Sequence, residues 1–166
     1  MQILKVFFVL LLMGCSGAPP AIKKKESASI NTHSNNVISL TGNYDNYKKN
    51  SKKILALFKA DPNTFNEQQL LKSISDSLLP VWYGTPWDFN GTTTQPQKGS
   101  IACGYFVTTL LQDIGLRINR SKLAQCASSI LIKHTCSGIS KYSNKSLEHF
   151  VNEIKLKGPG LYIAGL

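Results

Sequence analysis

The chain has 166 residues, with nineteen Lys and Arg against nine Asp and Glu, for a formal net charge of +10. Apolar residues make up 42% and charged residues 17%. This length holds one domain, and this apolar share excludes a wholly disordered chain, a collagen-like repeat or a coiled coil. Beyond the N-terminus no stretch approaches the roughly 20 apolar residues of a membrane-spanning helix.

Met1–Cys15 reads MQILKVFFVLLLMGC. Lys5 followed by the unbroken apolar run Val6–Met13 has the layout of a signal peptide, too short to span a bilayer. The run ends in Leu12-Met13-Gly14-Cys15, which resembles the bacterial lipobox. The resemblance implies that residues 1–14 are a leader and that Cys15 carries the lipid, palmitate-type acyl chains included. Membrane attachment then runs through Cys15, since two or more acyl chains anchor stably. Ser16 stands where an aspartate would favour inner-membrane retention, which points to the periplasmic face of the outer membrane. The other reading is an ordinary signal peptide with a chance cysteine.

Residues 15–46 read as a lipidated tether, rich in Ser, Asn, Thr and Pro. Lys23-Lys24-Lys25, Lys48-Lys49 and Lys52-Lys53 cluster near it. They fit contact with anionic lipid or wall polymer, or simply a solvated tether. No aromatic and basic interleaving suggests nucleic acid. Residues 47–166 form the folded part, expected to be a monomer.

From Tyr47 the pattern is helical, with Ile54, Leu55, Leu57 and Phe58 as a short apolar group. Asn66 reads as an N-cap for an amphipathic helix over 67–78 carrying Leu70, Leu71, Ile74 and Leu78, stopped by Pro80. Val81–Gly99 reads as a loop holding both tryptophans. Cys103–Gly115 is the clearest helix, with Phe106, Val107, Leu110, Leu111 and Ile114 on one face and Gly115 at its C-terminus. Ser121 is placed to cap a helix running through 122–133. Ser146 caps another, with Leu147, Phe150, Val151 and Ile154 as its inner face. Leu161–Ala164 reads as a buried strand, with 116–118 or 138–142 as upstream partners. Helices dominate before it, so the chain reads as the front half of an α+β domain.

Cys103, Cys126 and Cys136 leave an odd thiol count in an oxidising compartment, and one pair plus one free thiol is the simplest arrangement. A single helix between Cys126 and Cys136 would hold them too far apart; a turn near His134 would bring them together. Histidines at 33, 134 and 149 make no zinc spacing, and no metal or cofactor is implied.

Cys103 sits at a helix start, whose partial positive charge suits a sulfur nucleophile. Gly104 beside it gives close backbone access. The alternative is an inert core cysteine. Upstream stands Tyr83-Gly84-Thr85-Pro86-Trp87-Asp88-Phe89-Asn90-Gly91-Thr92, then a short polar loop and Ile101-Ala102-Cys103-Gly104-Tyr105-Phe106-Val107. Over residues 80–166 this resembles the NlpC-type papain-like cysteine peptidases of bacterial cell walls, in the Gly-Thr-Pro, Gly-Thr, Cys and Phe-Val elements and their spacing. The resemblance implies a papain-like α+β domain with Cys103 as nucleophile. It makes Trp82, Tyr83 and Trp87 substrate-side aromatics and peptidoglycan peptides the partner. Ala102, Gly104 and Tyr105 depart from the family's Asp, Ser and Gly, and Trp87 replaces a tyrosine. The family's base is a histidine on a later strand, and neither His134 nor His149 matches that place. The expectation is therefore a hydrolase that is inactive or incomplete as written, or a non-catalytic lipoprotein that binds peptidoglycan or a partner through its aromatic loop.

Overall fold

A computed structural model describes residues 10–11, 43–61 and 66–165. Cys15, His33 and nearly all of the expected leader and tether lie outside the described residues. The described chain is helix-rich. Its strand content is one parallel pairing of two-residue strands, β1 (Leu10–Leu11) and β2 (Ile163–Ala164), in the register Leu10 to Ile163 and Leu11 to Ala164. The expected C-terminal strand is thus shorter than read. Its partner comes from the segment read as leader, not from 116–118 or 138–142. Backbone groups at a strand need a partner somewhere, and removal of a leader through residue 14 would take this one away.

Helix α1 (Tyr44–Ala60) opens the packed part. Ser51, Ile54 and Leu55 turn inward, whereas Leu57 is exposed, so the apolar group read there is split between core and solvent. Asn66 caps α2 (Glu67–Ser73), its side chain accepting from Gln69 N at 3.1 Å. The helix does not end there. It widens into a π-helical turn, Ile74–Leu78, with Leu79 N bonded to Ile74 O at 2.9 Å. Pro80 then begins a 3₁₀ turn, Pro80–Trp82. The proline is accommodated because a first helical position has no intrahelical use for its missing N–H. The wider turn keeps Ile74 and Leu78 in the core, at 3% and 0% exposure.

Helix α3 (Cys103–Asp113) runs through the centre. Gly115 has φ +102°, Leu116 N bonds Leu111 O at 2.9 Å and Gly115 N bonds Gln112 O at 3.0 Å. This is the Schellman closure expected of a C-terminal glycine. The single helix read over 122–133 is two. Asn119, not Ser121, caps α4 (Arg120–Ala124) by accepting from Lys122 N. The chain extends at Ala127 and restarts as α5 (Ser128–Thr135). Across that break Leu123 and Leu131 both reach the core, at 5% and 1% exposure. Ser146 caps α6 (Leu147–Lys157) as expected, but no residue of α6 is buried. The inner face read there is only partly covered: Phe150 and Ile154 are half-buried, whereas Leu147 is 71% exposed.

Two hydroxyl contacts tie the buried faces. Tyr44 Oη donates to Asp113 across α1 and α3, and Ser51 and Ser73 share a hydrogen bond across α1 and α2. Burial is the largest cause raising Asp113 to about 6; the Tyr44 hydrogen bond and the nearby Lys48, Lys52 and Arg120 charges pull it down. Tyr44 is also pushed up, first by burial and then by the Asp113 charge. The Trp82 indole N–H works against that shift without reaching hydrogen-bond geometry.

Candidate functional site

The loop from Tyr83 to Ser100 is long, but its backbone is tied at many points. Ile101 is the organising residue. Its N–H bonds Pro86 O at 3.0 Å, and it bridges Trp87 on one side and Thr92 on the other. The next residue, Ala102, bonds Gly91 O at 2.8 Å. Gly91 is required by this zipper: a Cβ there would lie 2.4 Å from Ile101 N, inside any contact distance. The Gly-Thr-Pro and Gly-Thr pieces of the sequence motif are thereby laid against the two residues that precede Cys103.

Gln97 and Arg120 hold the rest of the loop. Gln97, at φ +59°, donates its backbone N–H to Thr85 Oγ1 at 2.9 Å and Nε2 to Tyr83 O at 3.1 Å. Arg120 donates Nε to Thr109 Oγ1 at 2.7 Å and Nη2 to Thr92 O and Thr93 O at 3.0 and 2.7 Å. Its guanidinium also lies 4.7 Å over the Tyr105 ring, whose hydroxyl accepts from Gln125. One planar fork thus joins the loop to the middle of α3. Burial lowers the Arg120 pKa, opposed by Tyr105 and Asp113. Neither Gln97 nor Arg120 was legible as a site residue. Their partners are distant in sequence, and no motif surrounds them.

Cys103 is half-buried at the first position of α3. Trp87 Nε1 donates to its sulfur at 3.3 Å. Trp87, expected as a substrate-side aromatic in place of a tyrosine, is a donor to the sulfur through its indole N–H. Ala102 offers no side-chain cap, so the first-turn amides of α3 are not closed by a side chain. Gly104 serves packing and not ligand access: a Cβ there would meet Ala124 O at 2.3 Å, where α4 crosses α3.

The loop that carries Trp87 to the sulfur also leaves Tyr83 and Phe89 exposed; Tyr83, Trp87 and Phe89 are 68%, 58% and 73% exposed. Trp82 does not join them. It is core, packed edge-on between Tyr44 and Phe106 with centroid distances of 5.9 and 5.5 Å, and offers no face to a ligand. The two described histidines are not brought to the thiol. His134 is exposed near the end of α5, and the ring of His149 lies edge-on to Tyr142. The three described thiols are free. Cys126 Sγ contacts Lys122 O and Cys136 sits beside Thr135, so the expected pairing is not formed. Among the described residues no group of His, Cys, Asp and Glu has metal-ligand geometry.

Comparison with known protein families, with characterised proteins and with solved structures finds no match to this chain.

Proposed function

We propose that the chain is a lipid-anchored protein of the bacterial cell envelope, held at the periplasmic face of the outer membrane, whose Cys103 site takes cell-wall peptides. In this reading residues 80–166 follow the plan of an NlpC-type papain-like peptidase or amidase. The observation that carries it is the 3.3 Å contact from Trp87 Nε1 to Cys103 Sγ. It brings the two halves of the sequence motif into one site, beside an uncapped helix start and exposed aromatics.

The chemistry this arrangement suits is acyl transfer. Cys103 Sγ attacks an amide carbonyl, a thioester forms as the C–N bond breaks, and the amine leaves with the thiol's proton. Water then cleaves the thioester and restores the thiol. The first-turn amides of α3, left without a side-chain cap, would serve as donors to the carbonyl oxygen as it gains charge. Tyr83, Trp87 and Phe89 supply flat apolar surface for the peptide or its sugar.

Proton transfer needs a base within hydrogen-bond reach of the sulfur. Among the described residues the sulfur's hydrogen-bond partner is an indole, which can only donate. That specific observation favours a second reading, in which the same site binds wall peptides without cutting them.

One experiment separates the two. Purified peptidoglycan and its soluble peptide fragments are incubated with the full chain, with C103A and with Y83A/W87A, and both pelleting and newly formed ends are measured. New amine and carboxylate ends that vanish in C103A support the hydrolase. Pelleting that survives C103A but is lost in Y83A/W87A, without new ends, supports the binding protein. If neither cleavage nor pelleting occurs, both readings fail.

A further inference from the structure

We infer that the face of α1 bearing Lys52 and Lys59, together with Arg117, docks the domain on a bilayer that displays anionic phospholipid headgroups. These side chains line one open groove of about 620 Å³ between α1 and the segment that follows α3. Lys48, Lys52 and Lys59 follow one another by four and seven residues, which keeps them on a single stripe of α1. The groove has an apolar floor that includes Leu55, Leu116 and Ile118. The aliphatic stem of Lys52 lies beside Gly115, and the Lys52 side chain is exposed.

Among the described residues no carboxylate lies within ion-pair distance of Lys52, Lys59 or Arg117. The single carboxylate among the lining residues is Asp113, which is buried and accepts from Tyr44. Lys48 does not add to this free charge, since it pairs with Asp45 at 2.6 Å, lies 4.4 Å over the Tyr44 ring and has its side chain only 26% exposed. What remains is a cationic rim on an apolar floor. A soluble polyanion would use only the rim. A phospholipid surface uses both, because the headgroup phosphate meets the cations and the glycerol and upper acyl carbons meet the floor. The proposal deepens the membrane-anchored reading by giving the domain a side that faces the lipid. It uses that reading only for orientation.

The test uses the full chain with Cys15→Ser, so that no acyl chain contributes, and vesicles of phosphatidylcholine with or without phosphatidylglycerol. The leader segment contributes equally to every variant. Sedimentation is expected to show at least tenfold tighter binding to the anionic vesicles, weakening as salt is raised. The triple variant K52Q/K59Q/R117Q is expected to lose on the order of a hundredfold, at about one headgroup interaction per cation removed. K52R/K59R keeps the charges and is expected to bind like the parent, which separates charge from misfolding. Equal binding to neutral and anionic vesicles, or unchanged binding by the triple variant, overturns the proposal. So does groove-dependent binding to soluble polyphosphate without binding to the anionic vesicles, which would assign the face to a wall polymer. None of these outcomes depends on Cys103, on Trp87 or on lipid at Cys15, so the site reading stands or falls separately.

Discussion

Helices α3 and α6 are both eleven residues long, and both carry an apolar face in sequence. They are held in opposite ways. α3 has no side-chain cap, no acid in its first turn and no base in its last. Six of its residues are buried, among them Val107, Leu110 and Leu111. α6 has a Ser146 cap, Glu148 in its first turn and Lys155 and Lys157 in its last, and buries none of its residues. Packing sustains the first helix, and end chemistry sustains the second. An apolar stripe therefore predicts which face of a helix would be covered. Whether anything covers it depends on distant parts of the chain.

The sharpest way to break this contrast is to remove the same atoms from both helices. Leu110→Ala deletes a side chain that is 5% exposed, and is expected to cost about 2–5 kcal/mol through lost burial and the cavity left behind. Leu147→Ala deletes one that is 71% exposed, and is expected to stay within about 0.5 kcal/mol. Urea denaturation of the two variants measures both. A cost at Leu147 close to that at Leu110 would mean that α6 is covered in solution.

The next largest effect lies at the back of α3, where its packing encloses a charge. Asp113 is held at about 6, above the ordinary aspartate value, chiefly by burial. A carboxyl whose folded pKa is raised binds more protons folded than unfolded between those two values. Stability from this group therefore falls as the pH rises from about 4 to about 6, and is flat on either side. The whole swing is about 3 kcal/mol for a shift of this size. The parent is expected to lose stability against Asp113→Asn across that window, followed by denaturation midpoints at pH 4, 5, 6 and 7. A difference that rises with pH would mean that the carboxylate form is the one the Tyr44 contact favours. α6 has no buried titratable group, so removing Glu148 or Glu153 is expected to leave the pH profile in place.

The same contrast explains what could be read in the sequence. Caps are local chemistry, and Asn66, Ser146 and the Gly115 closure stand where their residue types put them. The span of α3 and the adjacency of the 83–92 motif to Cys103 were legible for the same reason, since turn residues and spacing carry them. Long-range placement was not. Trp82 and Trp87 are alike in the sequence, yet one enters the core between Tyr44 and Phe106 and the other reaches the sulfur. Arg120 looks like any surface arginine until Thr92, Thr93 and Thr109 converge on it. The helical run does end at Leu78, ahead of Pro80; the widened turn that closes it and the 3₁₀ turn that begins at the proline were not legible. Ser121 read as a cap because serine caps well; Asn119 caps as well or better and comes first.

The smallest expected effect tests the other half of the contrast. Ser146 Oγ accepts from His149 N at 3.1 Å, which satisfies one of the free amides at the start of α6. Ser146→Ala removes that acceptor and is expected to cost the helix about 1 kcal/mol. No residue of α6 is buried, so little of that loss should reach the core. Hydrogen exchange is the measurement that sees it: amides of α6 should exchange roughly fivefold faster, while those of α3 and the global unfolding midpoint stay where they were. Should the global midpoint fall by the full amount, α6 would be part of the cooperative unit. Its apolar face would then have a partner in solution, and the distinction between a helix held by packing and one held by its ends would disappear.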